Sequence, residues 1–148
     1  MKISTRVEYG LIALTDIAMN SEDGTAVSAS EIAQRQHISQ KYLEQILMLL
    51  KQAGFVRAQK GLKGGYLLAK PTESVKLSEV LNALDNSILA DTYTPDDAQD
   101  EGLRPTVNAC LWGRINLYLR ELTANITLET FLAQCRERAE QSWDYYNI

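Results

Sequence analysis

Residues 28–54 run Ser28-Ala29-Ser30-Glu31-Ile32-Ala33-Gln34-Arg35-Gln36-His37-Ile38-Ser39-Gln40-Lys41-Tyr42-Leu43-Glu44-Gln45-Ile46-Leu47-Met48-Leu49-Leu50-Lys51-Gln52-Ala53-Gly54. They read as two helices parted by a short break. Ser28 and Glu31 have the S-x-x-E spacing of a capping box, in which hydroxyl and carboxylate each accept a hydrogen bond from an otherwise orphan backbone N–H. The helix they open carries Ile32 and Ala33 to about Gln36, and His37-Ile38-Ser39 ends it. Ser39 is placed to cap a second helix running to Ala53, with Gly54 as a left-handed stop. Leu43, Ile46, Leu47 and Leu50 form one apolar stripe, while Lys41, Glu44, Gln45, Met48 and Gln52 face the other way. Helix, short turn and longer helix is the arrangement of a helix-turn-helix.

Downstream, residues 55–60 and 66–70 are short strand-like runs joined by Gly61-Leu62-Lys63-Gly64-Gly65, a basic, glycine-rich connection that reads as a β-hairpin. Upstream, Val7, Leu11, Leu14 and Ala18 recur at helical spacing over about residues 4–20. A further helix begins at Leu77, marked by Val80, Leu81 and Leu84. Residues 86–102, with Asp91, Asp96, Asp97, Asp100 and Glu101 around Pro95, form an acidic aperiodic loop longer than most connections. Leu103 to about Ala124 reads as one long helix with Pro105 in its first turn and a stripe of Val107, Leu111, Ile115, Leu119 and Leu122. Such a helix reaches about 33 Å at ~1.5 Å per residue, more than a small domain covers, so a second copy of the chain is expected to bury the remainder. Thr127 is expected to cap a last helix bearing Leu128, Phe131, Leu132 and Cys135, and the aromatic tail from Trp143 to Ile148 is expected to dock. The fold class is therefore mainly α with a small β-hairpin wing. Residues 1–76 are expected to form a winged helix-turn-helix domain and residues 77–148 a helical dimerisation and sensing region.

The 148 residues carry 45% hydrophobic and 23% charged side chains, an ordinary folded composition at about one domain's length. No apolar run of about 18 residues offers a membrane span, and a cytoplasmic location is expected. The net charge of −4 conceals an asymmetry. Residues 1–76 hold ten basic and seven acidic side chains; residues 77–148 hold five basic and twelve acidic ones. Residues 51–76 alone hold six Lys or Arg against Glu73. A basic front half suits a chain whose front meets an anion. No enzyme motif is present, and the single histidine, His37, lies in the interhelical turn.

Duplex DNA is the anion these parts fit. A helix enters the major groove, where Lys41 and Gln45 can donate to purine edges and Glu44 can accept from a cytosine amine. An alternative for Glu44 is an exposed pair with Lys41 three residues earlier. Ser39 and Gln40 would seat the helix on the backbone, and Lys60, Lys63, Gly64 and Gly65, with Arg57, would bring the hairpin to a minor groove or phosphate wall. Tyr42 and Tyr66 read either as core residues or as backbone contacts.

Met1-Lys2-Ile3-Ser4-Thr5, Ile38-Ser39-Gln40-Lys41-Tyr42-Leu43-Glu44-Gln45-Ile46-Leu47, Ala53-Gly54-Phe55-Val56 and Lys60-Gly61-Leu62-Lys63-Gly64-Gly65-Tyr66-Leu67-Leu68-Ala69 resemble the Rrf2 family of bacterial transcription regulators over about residues 1–85. The resemblance implies a winged-helix homodimer with a long dimerisation helix and a palindromic operator. It also implies that the helix near Ser39–Gln45 reads the major groove while the wing enters the minor groove. Iron–sulfur members of the family hold their cluster through three closely spaced cysteines after the fourth helix. Here that segment has none, and the two cysteines are Cys110 and Cys135. No cofactor is expected; the alternative is a cluster on Cys110 with Glu8 or a partner-chain aspartate. The expected function is sequence-specific transcriptional regulation, as a repressor, answering to a metabolite, a partner protein or thiol oxidation. The rivals are a redox sensor on the same scaffold and a module that docks on a partner enzyme.

Overall fold

The computed structural model describes residues 3–95 and 102–146, the last two by backbone only. Helix α1 (Thr5–Asn20) starts at Ser4, whose hydroxyl accepts the Val7 N–H at 3.3 Å. Helix α2 (Ala29–Gln36) has the expected capping box: Ser28 Oγ accepts from Glu31 N at 3.1 Å, and Glu31 Oε2 accepts from Ser28 N at 2.7 Å. It closes at His37, held left-handed at φ 54°, whose N–H donates to the Ala33 carbonyl. Helix α3 (Gln40–Gln52) follows and ends ahead of Gly54 at φ 83°, a conformation that glycine adopts without a Cβ clash. Leu43, Ile46, Leu47 and Leu50 are all buried against Leu14 and Ile17 of α1 and Ile32 of α2. Ser39 departs from expectation. It stands at the N-cap, but its hydroxyl makes no cap hydrogen bond, so the first N–H groups of α3 lack a side-chain partner.

Strands β1 (Val56–Gln59) and β2 (Gly65–Leu68) pair antiparallel, Val56 opposite Leu68 and Gln59 opposite Gly65. Val27, just before α2, adds a third rung by exchanging backbone hydrogen bonds with Tyr66 at 2.9 and 2.7 Å. The wing is thus sewn to the helix-turn-helix on one side and continues α3 on the other.

Helix α4 (Leu77–Leu84) packs on α1 and α3, and its Val80 and Leu84 join the same core. Leu77 N–H donates to Ile126 O at 3.0 Å and Leu128 N–H to Val75 O at 2.8 Å, tying the start of α4 to the start of the last helix. Leu128 and Leu132 complete the core. The apolar interior therefore runs across residue 76 without interruption.

The expected helix runs without a break from Arg104 to Ala124, with a π turn (Asn108–Trp112) set between α5 (Arg104–Val107) and α6 (Gly113–Ala124). Along the expected stripe Leu119 is half-buried, while Val107, Leu111, Ile115 and Leu122 are exposed in the single chain. Helix α7 (Leu128–Tyr146) begins with Thr127 Oγ1 accepting the Thr130 N–H at 3.2 Å, the expected cap. Trp143 is 72% exposed in the single chain, and the side chains of 145–148 lie outside the described residues. Of the acidic loop, Asp91 is described, paired with Arg120 of α6 at 2.7 Å; Asp96, Asp97, Asp100 and Glu101 lie outside.

One buried charge orients α2. The Asp16 side chain, 1% exposed, accepts from Arg35 Nε at 3.0 Å and Nη2 at 2.8 Å, and from Gln36 Nε2 at 2.8 Å. Burial pushes its carboxyl pKa up, but hydrogen bonds from Arg35 and Gln36 and the guanidinium charge outweigh it, leaving it below the ordinary 3.8. The unfolded chain therefore takes up the proton first, and the clamp's contribution is lost as pH falls below that value. Asp16→Asn is expected to lower stability at pH 7 by about 2 kcal/mol in denaturant melts, because it strands Arg35. Its stability should also fall less steeply than the wild type's on acidification from pH 5 to pH 2.

Candidate nucleic-acid interface

The outward face of α3 follows from its inward one. With Leu43, Ile46, Leu47 and Leu50 buried, the 3.6-residue period turns Lys41, Glu44, Gln45 and Met48 to solvent. Gln40 Nε2 donates to Glu44 Oε1 at 3.3 Å, so the acid's neighbour on the helix is Gln40 and not Lys41. The Lys41 and Gln45 side chains are exposed, and Lys41 is in none of the ion pairs found among the described residues. At the preceding helix, Ser28 holds the exposed Glu31 carboxyl below its usual range by backbone and hydroxyl hydrogen bonds, so the box stays charged and closed near neutrality.

The wing is rigid at its root and open at its tip. A Cβ at Gly64 would meet Gln59 O at 2.5 Å, and one at Gly65 would meet the Val27 carbonyl group at 2.5 Å. Both glycines are half-buried and shape the loop from within. Lys60 and Lys63 are exposed, and among the described residues neither they nor Lys41 stands in an ion pair. Charges left unpaired on one continuous element pair are what a polyanion meets.

Three of the expected residues make contacts within the chain. Tyr42 is half-buried with its ring edge-on to Tyr9, centroids 6.1 Å apart, and Tyr66 packs against the core while its backbone bonds Val27. Arg57 lines a cleft of about 570 Å³ between the hairpin and α7, with Glu22, Glu73, Glu129 and Arg136 around it. Lys70 sits over the Phe55 ring, 5.2 Å from its centroid.

The Asp16–Arg35–Gln36 clamp went unread in the sequence. The available signal was an acid at position 16, beside Ile17 on the face that Leu14 and Ala18 bury. It forms part of the wall of a groove of about 1030 Å³ between α1, α4, α6 and α7, lined mainly by residues such as Leu11, Ile12, Leu81, Leu119 and Phe131. Cys135 also lines that groove, half-buried, its thiol pKa pushed up by burial, whereas Cys110 is exposed on the π turn. Among the described residues no three His, Cys, Asp or Glu side chains gather as a metal site. No helix among them is long and apolar enough to cross a membrane.

The chain matches the family model Rrf2, described as an iron-dependent transcriptional regulator, over residues 3–134. It is 43% identical over 91 residues to the HTH-type transcriptional regulator IscR of Cereibacter sphaeroides, covering 61% of this chain and 59% of that protein. The match thus spans less than two thirds of that relative's length. The IscR of Escherichia coli is 35% identical over 128 residues, covering 86% of this chain and 78% of the relative. Among solved structures, CymR, the global cysteine regulator of B. subtilis, superposes with a TM-score of 0.76 at 28% identity, over 90% of this chain and 98% of that one. The winged helix-turn-helix, its exposed basic face and a match running nearly end to end make this chain a member of the Rrf2 family of DNA-binding transcriptional regulators.

Proposed function

We propose that two copies of this chain bind a palindromic operator and repress transcription by occupying it, with no catalytic activity, in the cytoplasm. The observation that carries the reading is the run of unpaired cations, Lys41, Lys60 and Lys63, along α3 and the wing of an otherwise acidic chain. Lys41, Glu44 and Gln45 read base edges in the major groove. Ser39 and Gln40 place the start of α3 against a phosphate, where uncapped N–H groups and the positive helix end favour an anion. Lys60 and Lys63 grip the phosphates flanking the minor groove, Gly64 and Gly65 set the approach, and Tyr42 and Tyr66 brace the reading elements from behind. Arg57, in a cleft where Glu22, Glu73 and Glu129 are matched by Lys70 and Arg136, contributes a peripheral backbone contact.

The division near residue 76 is one of task, since the core is shared: residues 1–76 read DNA and residues 77–148 dimerise and sense. Support for the second copy comes from α6, a helix of 12 residues with none buried. Leu111, Trp112, Ile115, Leu117 and Tyr118 are each at least 42% exposed, an apolar surface of the kind a second copy would cover. The groove beside α1 is the place for an effector, metabolite or protein segment, because its wall includes the clamp that sets α2.

An iron–sulfur cluster does not fit the donors present. Cluster sites usually take four ligands, mostly cysteine thiolates. This chain has two cysteines, one on the π turn and one on α7, and none between residues 86 and 102. Glu8 lines the groove with Cys135, not a pocket with Cys110.

Lys63→Ala should weaken binding to every duplex and flatten the salt slope by about one unit, whereas Glu44→Ala should relax preference at one base pair and leave the slope unchanged. Salt titrations by fluorescence anisotropy test this, and the opposite pattern for the two variants overturns the roles. In sedimentation velocity the wild type should run at twice its 16.6 kDa chain mass, and Ile115→Asp, altering an exposed side chain, at the single-chain mass.

A further inference from the structure

The wing ends in a tight turn. Gly64 N–H donates to the Gly61 carbonyl at 3.0 Å, leaving Leu62 and Lys63 as the two central residues, the outermost of the hairpin. Leu62 is 109% exposed: no other part of the protein shields it. A singly exposed leucine is commonplace on a protein surface. This one differs by its setting. The turn beneath it is held by the β1–β2 ladder and by the Val27–Tyr66 bridge, and the backbones of Gly64 and Gly65 pack so closely on Gln59 and Val27 that neither position has space for a Cβ. Exposed cations, Lys60 and Lys63, stand on either side. An apolar point on a rigid mount between two positive charges matches one target in duplex DNA. That target is the minor groove, about 6 Å wide, with phosphates along both walls and base edges on its floor.

We propose that Leu62 is a specificity-determining residue that presses its methyl groups against the minor-groove floor and selects A·T over G·C beneath the wing. The inference rests on the DNA-binding reading above. Its chemistry is exclusion. A·T and T·A pairs offer only acceptors on the groove floor, set back from the centre, whereas G·C adds the guanine 2-amino group. Leu62 has no acceptor to offer that amine, and covering it leaves a desolvated donor without a partner. Apolar side chains pressed into this groove also part base steps, which A·T-rich sequence accommodates most readily at its TA steps. Because the mount is already ordered, little conformational freedom is lost when the tip enters.

The test uses the full chain and operator duplexes whose base pairs under the wing are A·T, G·C or inosine·C. Inosine lacks the 2-amino group, so inosine·C keeps the major-groove face of G·C and presents a minor-groove face like that of A·T. Wild type should bind the A·T and inosine·C duplexes alike and the G·C duplex weaker by on the order of tenfold. In Leu62→Ala the three affinities should converge to within about twofold, with the salt slope unchanged because no charge is removed. The melting temperature should also be unchanged, because the side chain touches nothing in the protein. Discrimination against G·C that persists in Leu62→Ala overturns the proposal. So does wild-type binding that is equal on all three duplexes, which leaves the DNA-binding reading intact. Failure of wild type to bind any of them sinks both.

Discussion

A carboxylate in an apolar interior is tolerable only if its hydrogen-bond capacity is filled, and at Asp16 the filling comes from α2. Arg35 bonds both carboxylate oxygens from two nitrogens and Gln36 adds a third bond, while Asn20 of α1 contributes a longer one at 3.4 Å. Apolar packing alone would let a two-turn helix such as α2 slide or roll. A buried, multiply bonded charge does not, because any displacement leaves it unpaired in a low dielectric. The capping box at one end and the left-handed His37 at the other then fix where α2 starts and where α3 must begin. The direction in which Lys41, Glu44 and Gln45 point is a consequence of that chain of constraints.

The same clamp lies in the wall of the groove between α1 and the C-terminal helices. A molecule or segment entering that groove would meet the groups that orient α2, and through them the start of α3. The shared core, in which Val80, Leu84, Leu128 and Leu132 pack with α1 and α3, makes the two halves mechanically continuous. Charge separates them instead. The excess of acid lies in the second half and the excess of base on the reading half, which orients the molecule toward a polyanion before any specific contact forms.

Much of this was legible in the sequence because it depends on local chemistry. The S-x-x-E box, the Leu43–Leu50 stripe and the glycine stop at 54 are short-range signals, and each element lies where they place it. Three features were not legible, for separate reasons. The Asp16 clamp joins residues 19 and 20 positions apart, and periodicity shows that Asp16 is inward but not who meets it. The π turn at 108–112 is closed by the Gly113 N–H bonding the Asn108 carbonyl, a local change of hydrogen-bond register that the apolar spacing does not reveal. In the interface, the glycines of the wing read as contact residues because glycine permits close approach to anything. Their backbones also pack on Gln59 and Val27 of the same chain, a second need for glycine that spacing alone does not reveal, and Leu62 next to them is fully exposed.

The most direct measurement of the central claim is selection of bound duplexes from a random pool by the full chain at about 100 mM salt. Two identical reading heads related by a two-fold axis should enrich an inverted repeat whose half-sites are centred about one helical turn, or a whole number of turns, apart, with A·T pairs where the wings fall. A pool that stays random, or a winner with one unrepeated half-site, would contradict the account of a clamped helix-turn-helix presented in duplicate to DNA.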